Sequence, residues 1–355
     1  MLSFFIFLCK GVISLSENNN FNSKLLFFVC NTMDVITNKQ RYETLCREQG
    51  SAIPLFLQYW WMETVCYGKE WDVILVERNK QIVAAMPYHI GRKLGMKYII
   101  QPQLTQYNGI WYRPQEWASE NKRLSFEKWA ASKVVHNLKQ LNLAYYQQNF
   151  SPVITNWLPF YWNGFKQTTR YTYRINDLSN SDKVYAAFDK DDRRKPIEKI
   201  ADKVHVDWTL TPEMFYDFHN AYWQSRGQDD LLSKEFTIRV CNAAISRGQG
   251  FIIALRDEDE QLVAARFVIY DQECAYSLMS ALNPKGHHRG ASPMLLWQAL
   301  KHLSGKTKIF DCEGSMDEGI EQSYRLYGTI QTPYFSIEKC NSRLFKLLKY
   351  IKERI

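Results

Sequence analysis

Gln81-Ile82-Val83-Ala84-Ala85 and Gln261-Leu262-Val263-Ala264-Ala265 are near-copies of one word, and each follows an apolar, β-branched run: Val73 to Val76 in the first, Phe251 to Leu255 in the second. An apolar strand, a polar turn and a second apolar strand make a β-hairpin. The first predicted hairpin spans Trp71 to Tyr88 and turns at Arg78-Asn79-Lys80. The second spans Phe251 to Tyr270 and turns at the acidic Asp257-Glu258-Asp259-Glu260.

The order downstream repeats as well. Each copy reaches a helix-like stretch carrying a tryptophan (Trp129, Trp297) and ends in a glycine, a Gln-Thr pair and an aromatic strand. Those endings are Gly164-Phe165-Lys166-Gln167-Thr168 before Tyr171-Thr172-Tyr173, and Gly328-Thr329-Ile330-Gln331-Thr332 before Tyr334-Phe335. Shared order over about 100 residues predicts an α/β protein of two similar units with mixed sheets, packed as one body. The units are placed at 33–180 and 181–340, with a basic amphipathic helix at 341–355.

A length of 355 residues suits two domains, and 46% apolar with 15% aromatic residues can fill two cores, which excludes extensive disorder. The net charge of +8 favours anionic partners without naming one. The eight cysteines show neither a CxxC pair nor metal-ligand spacing, so they read as buried, reduced thiols of a cytosolic protein, and no metal site is expected.

Residues 1–32 differ from the rest. Their apolar runs, Leu2 to Cys9 and Leu25 to Cys30, are too short to span a bilayer, and an Asn-rich stretch separates them. The preferred reading is that translation begins at Met33; a membrane-associating extension and a cleaved signal are the alternatives.

Within the first unit, Pro54 to Cys66 reads as an aromatic amphipathic helix, Tyr98 to Ile100 as a strand, Ser125 to Leu141 as a helix and Leu143 to Gln147 as a strand. The charge run Asp189-Lys190-Asp191-Asp192-Arg193-Arg194-Lys195 reads as a solvated helix face near the junction of the copies. In the second unit, helices are expected at Met214 to Arg226 and Lys234 to Arg247, and a strand at Cys274 to Ser280.

That strand runs into Asn283-Pro284-Lys285-Gly286-His287-His288-Arg289-Gly290-Ala291. Ser292 as N-cap and Pro293 at the first helical position predict a helix start, with apolar residues at 295, 296, 299, 300 and 303 as its buried stripe. A glycine-bearing loop feeding free N–H groups, with basic residues beside it, suits a phosphate or pyrophosphate; an ordinary tight turn is the alternative. Next, an extended Lys308 to Ser315 would put Asp311 and Glu313 on one side, either as converging acid/base carboxylates or as structural hydrogen-bond acceptors. Ser315 and Glu318 form a capping-box pattern for a helix closed by Gly328, on which Tyr324 could be a core aromatic.

This order of elements, carried by Asp311-Cys312-Glu313-Gly314-Ser315-Met316, Gly319-Ile320-Glu321, Tyr324-Arg325-Leu326-Tyr327-Gly328 and Gln331-Thr332-Pro333-Tyr334-Phe335, resembles the GNAT acyltransferase fold. The duplication resembles the FemAB-like acyltransferases, and especially GNAT-type relatives of cell-envelope and polysaccharide pathways. The resemblance implies an acyl-coenzyme A donor, acetyl-coenzyme A first among them. Its pyrophosphate would lie on a Q/R-x-x-G-x-G/A loop, here His287-His288-Arg289-Gly290-Ala291-Ser292, where His287 and Ser292 depart from the pattern. The cofactor-binding residues it implies are therefore His288, Arg289, Gly290, Ala291 and Ser292.

The same resemblance implies that Tyr324 protonates the departing thiolate while Glu313 or Asp311 deprotonates the acceptor, an amine or hydroxyl, with a sugar or nucleotide-sugar as the expected small-molecule or glycan. The first copy has Phe160 in place of Tyr324, so chemistry is assigned to the second unit and scaffolding or acceptor binding to the first. Two alternatives stay open: a FemAB-type aminoacyl transferase using charged tRNA on a peptidoglycan precursor, and a non-catalytic protein whose aromatic grooves bind a glycan or a protein. The helix at 341–355 shows an apolar face (Leu344, Phe345, Leu347, Leu348, Ile351) ringed by basic residues. It is expected to pack on the second unit, with contact to an anionic membrane at the inner face as the alternative.

Overall fold

The computed structural model describes residues 36–228, 232–284, 289–314 and 316–352. The readings made on residues 1–32, His287, His288 and Ser315 lie outside these. The strands are β1 (Glu70–Arg78), β2 (Gln81–Lys93), β3 (Met96–Ile100), β4 (Trp111–Tyr112), β5 (Tyr145–Asn149), β6 (Lys166–Ile175), β7 (Val204–Asp207), β8 (Gly250–Asp257), β9 (Leu262–Tyr270), β10 (Cys274–Leu282), β11 (Ile309–Asp311) and β12 (Ile330–Cys340). They form one 12-stranded mixed sheet in the order β1-β2-β3-β5-β12-β6-β11-β10-β9-β8-β7, with β4 paired to β2.

The repeated word produces repeated geometry. Val76 pairs with Ala84 and Leu255 with Ala264, and a bulge follows at the same place in each hairpin, between Val76 and Glu77 and between Leu255 and Arg256. All four word alanines are inaccessible to solvent, because helices cover both faces of the sheet there. The first turn is tight because Asn79 and Lys80 both take positive φ, the pair that a two-residue hairpin of primed type requires.

The last strands of the two repeats are exchanged. β12, the end of the second copy, pairs with β5 of the first, while β6, the end of the first, pairs with β11 of the second. Side chains follow the backbone. Ile337 of β12 is buried in the core beneath helix Glu120–Gln140, whereas Tyr173 and Ile175 of β6 are buried in the core beneath helix Ala291–Leu303. A third cluster joins Tyr42, Phe56 and Trp61 of the first copy to Phe215, Phe267 and Tyr276 of the second.

Several local expectations are corrected. The helix expected from Pro54 to Cys66 is a 3-10 turn, Leu55–Leu57, and a short α-helix, Tyr59–Val65. Gln58 breaks it, extended in backbone and donating through Nε2 to the carbonyls of Gly50 (2.7 Å) and Ile53 (2.6 Å). The helix at 291 is capped by Gly290 rather than Ser292, and the next by Asp317, whose side chain accepts from Ile320 N at 3.0 Å, rather than by Ser315.

The C-terminal helix Arg343–Lys352 packs on both repeats rather than on the second alone, against Tyr98 and Tyr145 of the first and Glu338 of the second. Phe345 stacks on Tyr145 (5.0 Å between centroids) and meets Tyr98, and Lys349 donates to the Tyr145 hydroxyl and Glu338. Strand exchange explains this, since β12 delivers the chain end beside β5. Among the described residues no helix is long and apolar enough to cross a membrane. Their six cysteines are free thiols, five of them buried and Cys340 exposed.

Candidate active site

β10 and β11 run parallel for only three pairs, Cys274 with Ile309, Ala275 with Phe310 and Tyr276 with Asp311. β10 then continues to Leu282, while the chain after Asp311 turns to β6, where Cys312 N donates to Tyr173 O at 2.9 Å. The edge of β10 from Ser277 to Leu282 is therefore left without a strand partner among the described residues, and the two strands open a cleft.

The equivalent opening in the first repeat, between β3 and β5, is occupied by its own chain. Asn108 N donates to Asn149 O at 2.7 Å, Asn108 bridges to Phe150, and Gln101 accepts from Asn149 N at 2.9 Å. Gly109, at φ +98°, lets the backbone pass the Phe150 ring, which a Cβ would meet at 2.3 Å. Tyr107 of this filling segment crosses into the second repeat, where its hydroxyl donates to Asp311 Oδ2 at 3.0 Å.

Asp311, at the mouth of the cleft, is inaccessible to solvent and heavily engaged. Besides Tyr107 it accepts from Arg174 Nε (2.8 Å), Glu313 N (2.9 Å) and the Thr172 hydroxyl, and Arg174 is its ion-pair partner. These bonds hold the cleft's rim to β6.

Strand alternation stops at Asp311. Glu313 takes φ +59°, so the predicted shared face of the two carboxylates arises from a turn rather than from an extended strand. Gly314 follows because a Cβ there would lie 1.8 Å from Tyr171 O. Glu313 Oε1 is buried and has no hydrogen-bond partner among the described residues. Burial, reinforced by the neighbouring charge of Asp311, raises its carboxyl well above the usual range.

Tyr324 reaches the same place from helix Glu318–Arg325. Its ring lies 5.9 Å from that of Tyr173. Burial raises its hydroxyl, and Cys312, Arg266 and Glu313 are the charges it feels next. Thus Asp311, Glu313 and Tyr324 are brought together, with an anchored carboxylate beside a buried carboxyl and a phenol. Phe160, the first-repeat counterpart of Tyr324, is wholly buried between Phe150 and Phe165.

The loop residues face elsewhere. A Cβ on Gly290 would lie 2.1 Å from Pro196 O, so the glycine makes room for helix Lys195–Ile200 of the chain itself. Arg289 is ion-paired with Asp192, Ala291 is buried in the core, and the Ser292 side chain lies beside the Tyr327 hydroxyl. The space beside Gly290 is thus taken by the chain itself, and His288 lies outside the described residues. The charge run is likewise more than a solvated face. After a π-helical turn at Lys190–Arg194, Arg193 donates to Ser323 O and Oγ, both at 2.9 Å, and lies 4.5 Å over the Tyr327 ring.

One residue that the motif reading passed over stands in this site. Arg266 on β9 donates to the Ser277 hydroxyl of β10, is 8% exposed and leaves its Nε without a partner among the described residues. Extending the repeat by one position would have found it, for Met86 stands in the first copy where Arg266 stands in the second.

Residues 191–311 match the family described as acetyltransferase (GNAT) domain. No curated protein matches. Among solved structures, that of FemX has a TM-score of 0.63 at 10% identity, covering 84% of this chain and 95% of that one. A protein of unknown function from Bacteroides thetaiotaomicron has a TM-score of 0.55 at 9% identity (85% and 96% covered), and L-PGS from Bacillus licheniformis 0.52 at 12% (88% and 96%). The GNAT family match is thus confined to residues 191–311, while the chain as a whole shares the fold of the FemX structure.

Proposed function

We propose that the protein transfers an acyl group from an activated donor to an amine or hydroxyl acceptor in the cleft between β10 and β11, with the first repeat, 33–180, as scaffold and acceptor side. The observation that carries this reading is the contrast between repeats: the first fills its opening with residues 101–110, while the second leaves it open beside Glu313 and Tyr324. In this reading Tyr324 gives a proton to the leaving group, Glu313 takes one from the acceptor, and Asp311 positions Glu313 through the backbone N–H at 2.9 Å. Attack is direct, and no covalent enzyme intermediate is needed.

Acyl-coenzyme A is the donor implied by the GNAT resemblance, with the thioester in the cleft. The occupied space at Gly290 favours a second donor, charged tRNA, whose acyl ester needs no pyrophosphate cradle at residues 289–292. Isothermal titration with acetyl-coenzyme A, longer acyl-coenzymes A and free coenzyme A separates them. Micromolar binding supports the thioester; no binding to any of them removes it and leaves the charged tRNA to be tested. With whichever donor is turned over, Tyr324→Phe is expected to lower the transfer rate by about 100-fold. An unchanged rate would take Tyr324 out of the mechanism.

A further inference from the structure

A guanidinium stays charged at every pH a folded protein meets, so burying one without an anion is costly. Two other arginines show how that cost is offset. Arg174, 9% exposed, is ion-paired with Asp311, and Arg256 is ion-paired with Asp207. Arg266 is buried as deeply, yet among the described residues it has no carboxylate within ion-pair distance, and the Ser277 hydroxyl is its one hydrogen-bond partner.

The surroundings show where an anion would come from. Arg266 reaches from β9 across β10 to Ser277, the residue at which β10 parts from β11. Its charge is felt by Cys312, Tyr324 and Tyr327. The thiol and both phenols are kept neutral by burial. Met86, the matching residue of the first repeat, is fully buried in that repeat's core. The cation thus occurs in the repeat whose cleft is open and is missing from the repeat whose cleft is closed.

We propose that Arg266 and Ser277 form a carboxylate-binding subsite at the floor of the cleft, so that the molecule acylated or carried there bears a carboxylate near its reactive group. This rests on the acyl-transfer reading for what the bound molecule does, but not for whether it binds. The guanidinium offers the free Nε and the serine a hydroxyl, a donor set that matches a carboxylate.

The test is a binding titration followed by thermal unfolding of the full-length protein. The probes are acetate, succinate and N-acetylglycine, each against its uncharged amide. At least one carboxylate is expected to bind about 10-fold or more tighter than its amide. At ten times its Kd it should raise Tm by about 2 °C. Arg266→Met should erase that preference and, without ligand, unfold at the same temperature as the unaltered protein or higher, since it restores the first-repeat residue. Arg266→Lys should keep a weakened preference, and Ser277→Ala should lower it.

Equal response to carboxylates and amides, or none to either, overturns the subsite. So does a fall in Tm for Arg266→Met that Arg266→Lys repairs, which would make the charge structural. Because binding is read without turnover, a carboxylate preference would survive failure of the Tyr324 test, and its absence would leave acyl transfer standing.

Discussion

At Asp311 the carboxylate accepts from Tyr107, Thr172, Arg174 and the backbone of Glu313, with no exposure to solvent, so little capacity remains for a substrate proton. Asp311→Ala should therefore act on stability first. Removing one partner of a buried ion pair strands the other, and the expected loss is about 3 kcal/mol or more, read by urea denaturation. An Asp311→Ala protein as stable as the parent but devoid of transfer would return Asp311 to the chemistry. Glu313 behaves oppositely. Burial and the Asp311 charge raise its folded-state carboxyl, so the folded chain keeps a proton that the unfolded chain releases. That stabilising difference is complete below the ordinary carboxylate range and is lost as pH rises toward the raised value. Glu313→Gln should match the parent in Tm at low pH and exceed it at neutral pH, whereas parallel Tm profiles would show that the carboxyl is solvated. Transfer should rise with pH in the parent as Glu313 becomes able to accept a proton, and the variant should lose that rise.

Among the elements, the loop at 289–292 and the segment at 190–200 lock together through Arg289 with Asp192 and through the Pro196 carbonyl against Gly290. Gly290→Ala should separate helix Lys195–Ile200 from helix Ala291–Leu303 and destabilise the protein by about 1–3 kcal/mol, measured by thermal unfolding, even with no ligand present. If Gly290→Ala left stability untouched and weakened only coenzyme A binding, the loop would be a ligand cradle after all. This contact also marks the limit of what the sequence makes legible. The hairpins and the helix stripe at 295, 296, 299, 300 and 303 follow from local periodicity and from the repeat, whereas the meeting of Glu313 with Tyr324 is implied only by the GNAT resemblance. A glycine beside basic residues looks the same whether the space it opens is for a phosphate or for a distant carbonyl of the same chain, because Pro196 lies far away in sequence. Arg266 was hidden for a related reason: an arginine in an apolar strand gains meaning only when the neighbouring strands are in place and no described carboxylate pairs with it. Capping was misread where two candidates stood close together, and Asp317 caps where Ser315 was expected.

Across the whole molecule, the exchanged strands make the repeats interdependent in a way that no local pattern signals, since β12 and β6 are equally good strands in either pairing. β12 supplies Ile337 to the first-repeat core and closes the sheet between β5 and β6; β6 supplies Tyr173 and Ile175 to the second-repeat core. The central cluster adds side chains from both copies to one interior. Residues 37–352 should accordingly unfold in a single cooperative transition, with fluorescence and circular dichroism coincident. Ending the chain before Ile330 removes β12, an element of the second repeat, yet the damage should fall on the first. The β5 edge would lose its partner, and amides of β3, β5 and helix Glu120–Gln140 should lose hydrogen-exchange protection at least as much as those of β8 to β10. Supplying residues 330–352 in trans should restore protection to those first-repeat segments. Loss confined to the second repeat, or two separate transitions in the full chain, would mean that each copy folds within its own boundaries and that the exchange does not govern stability.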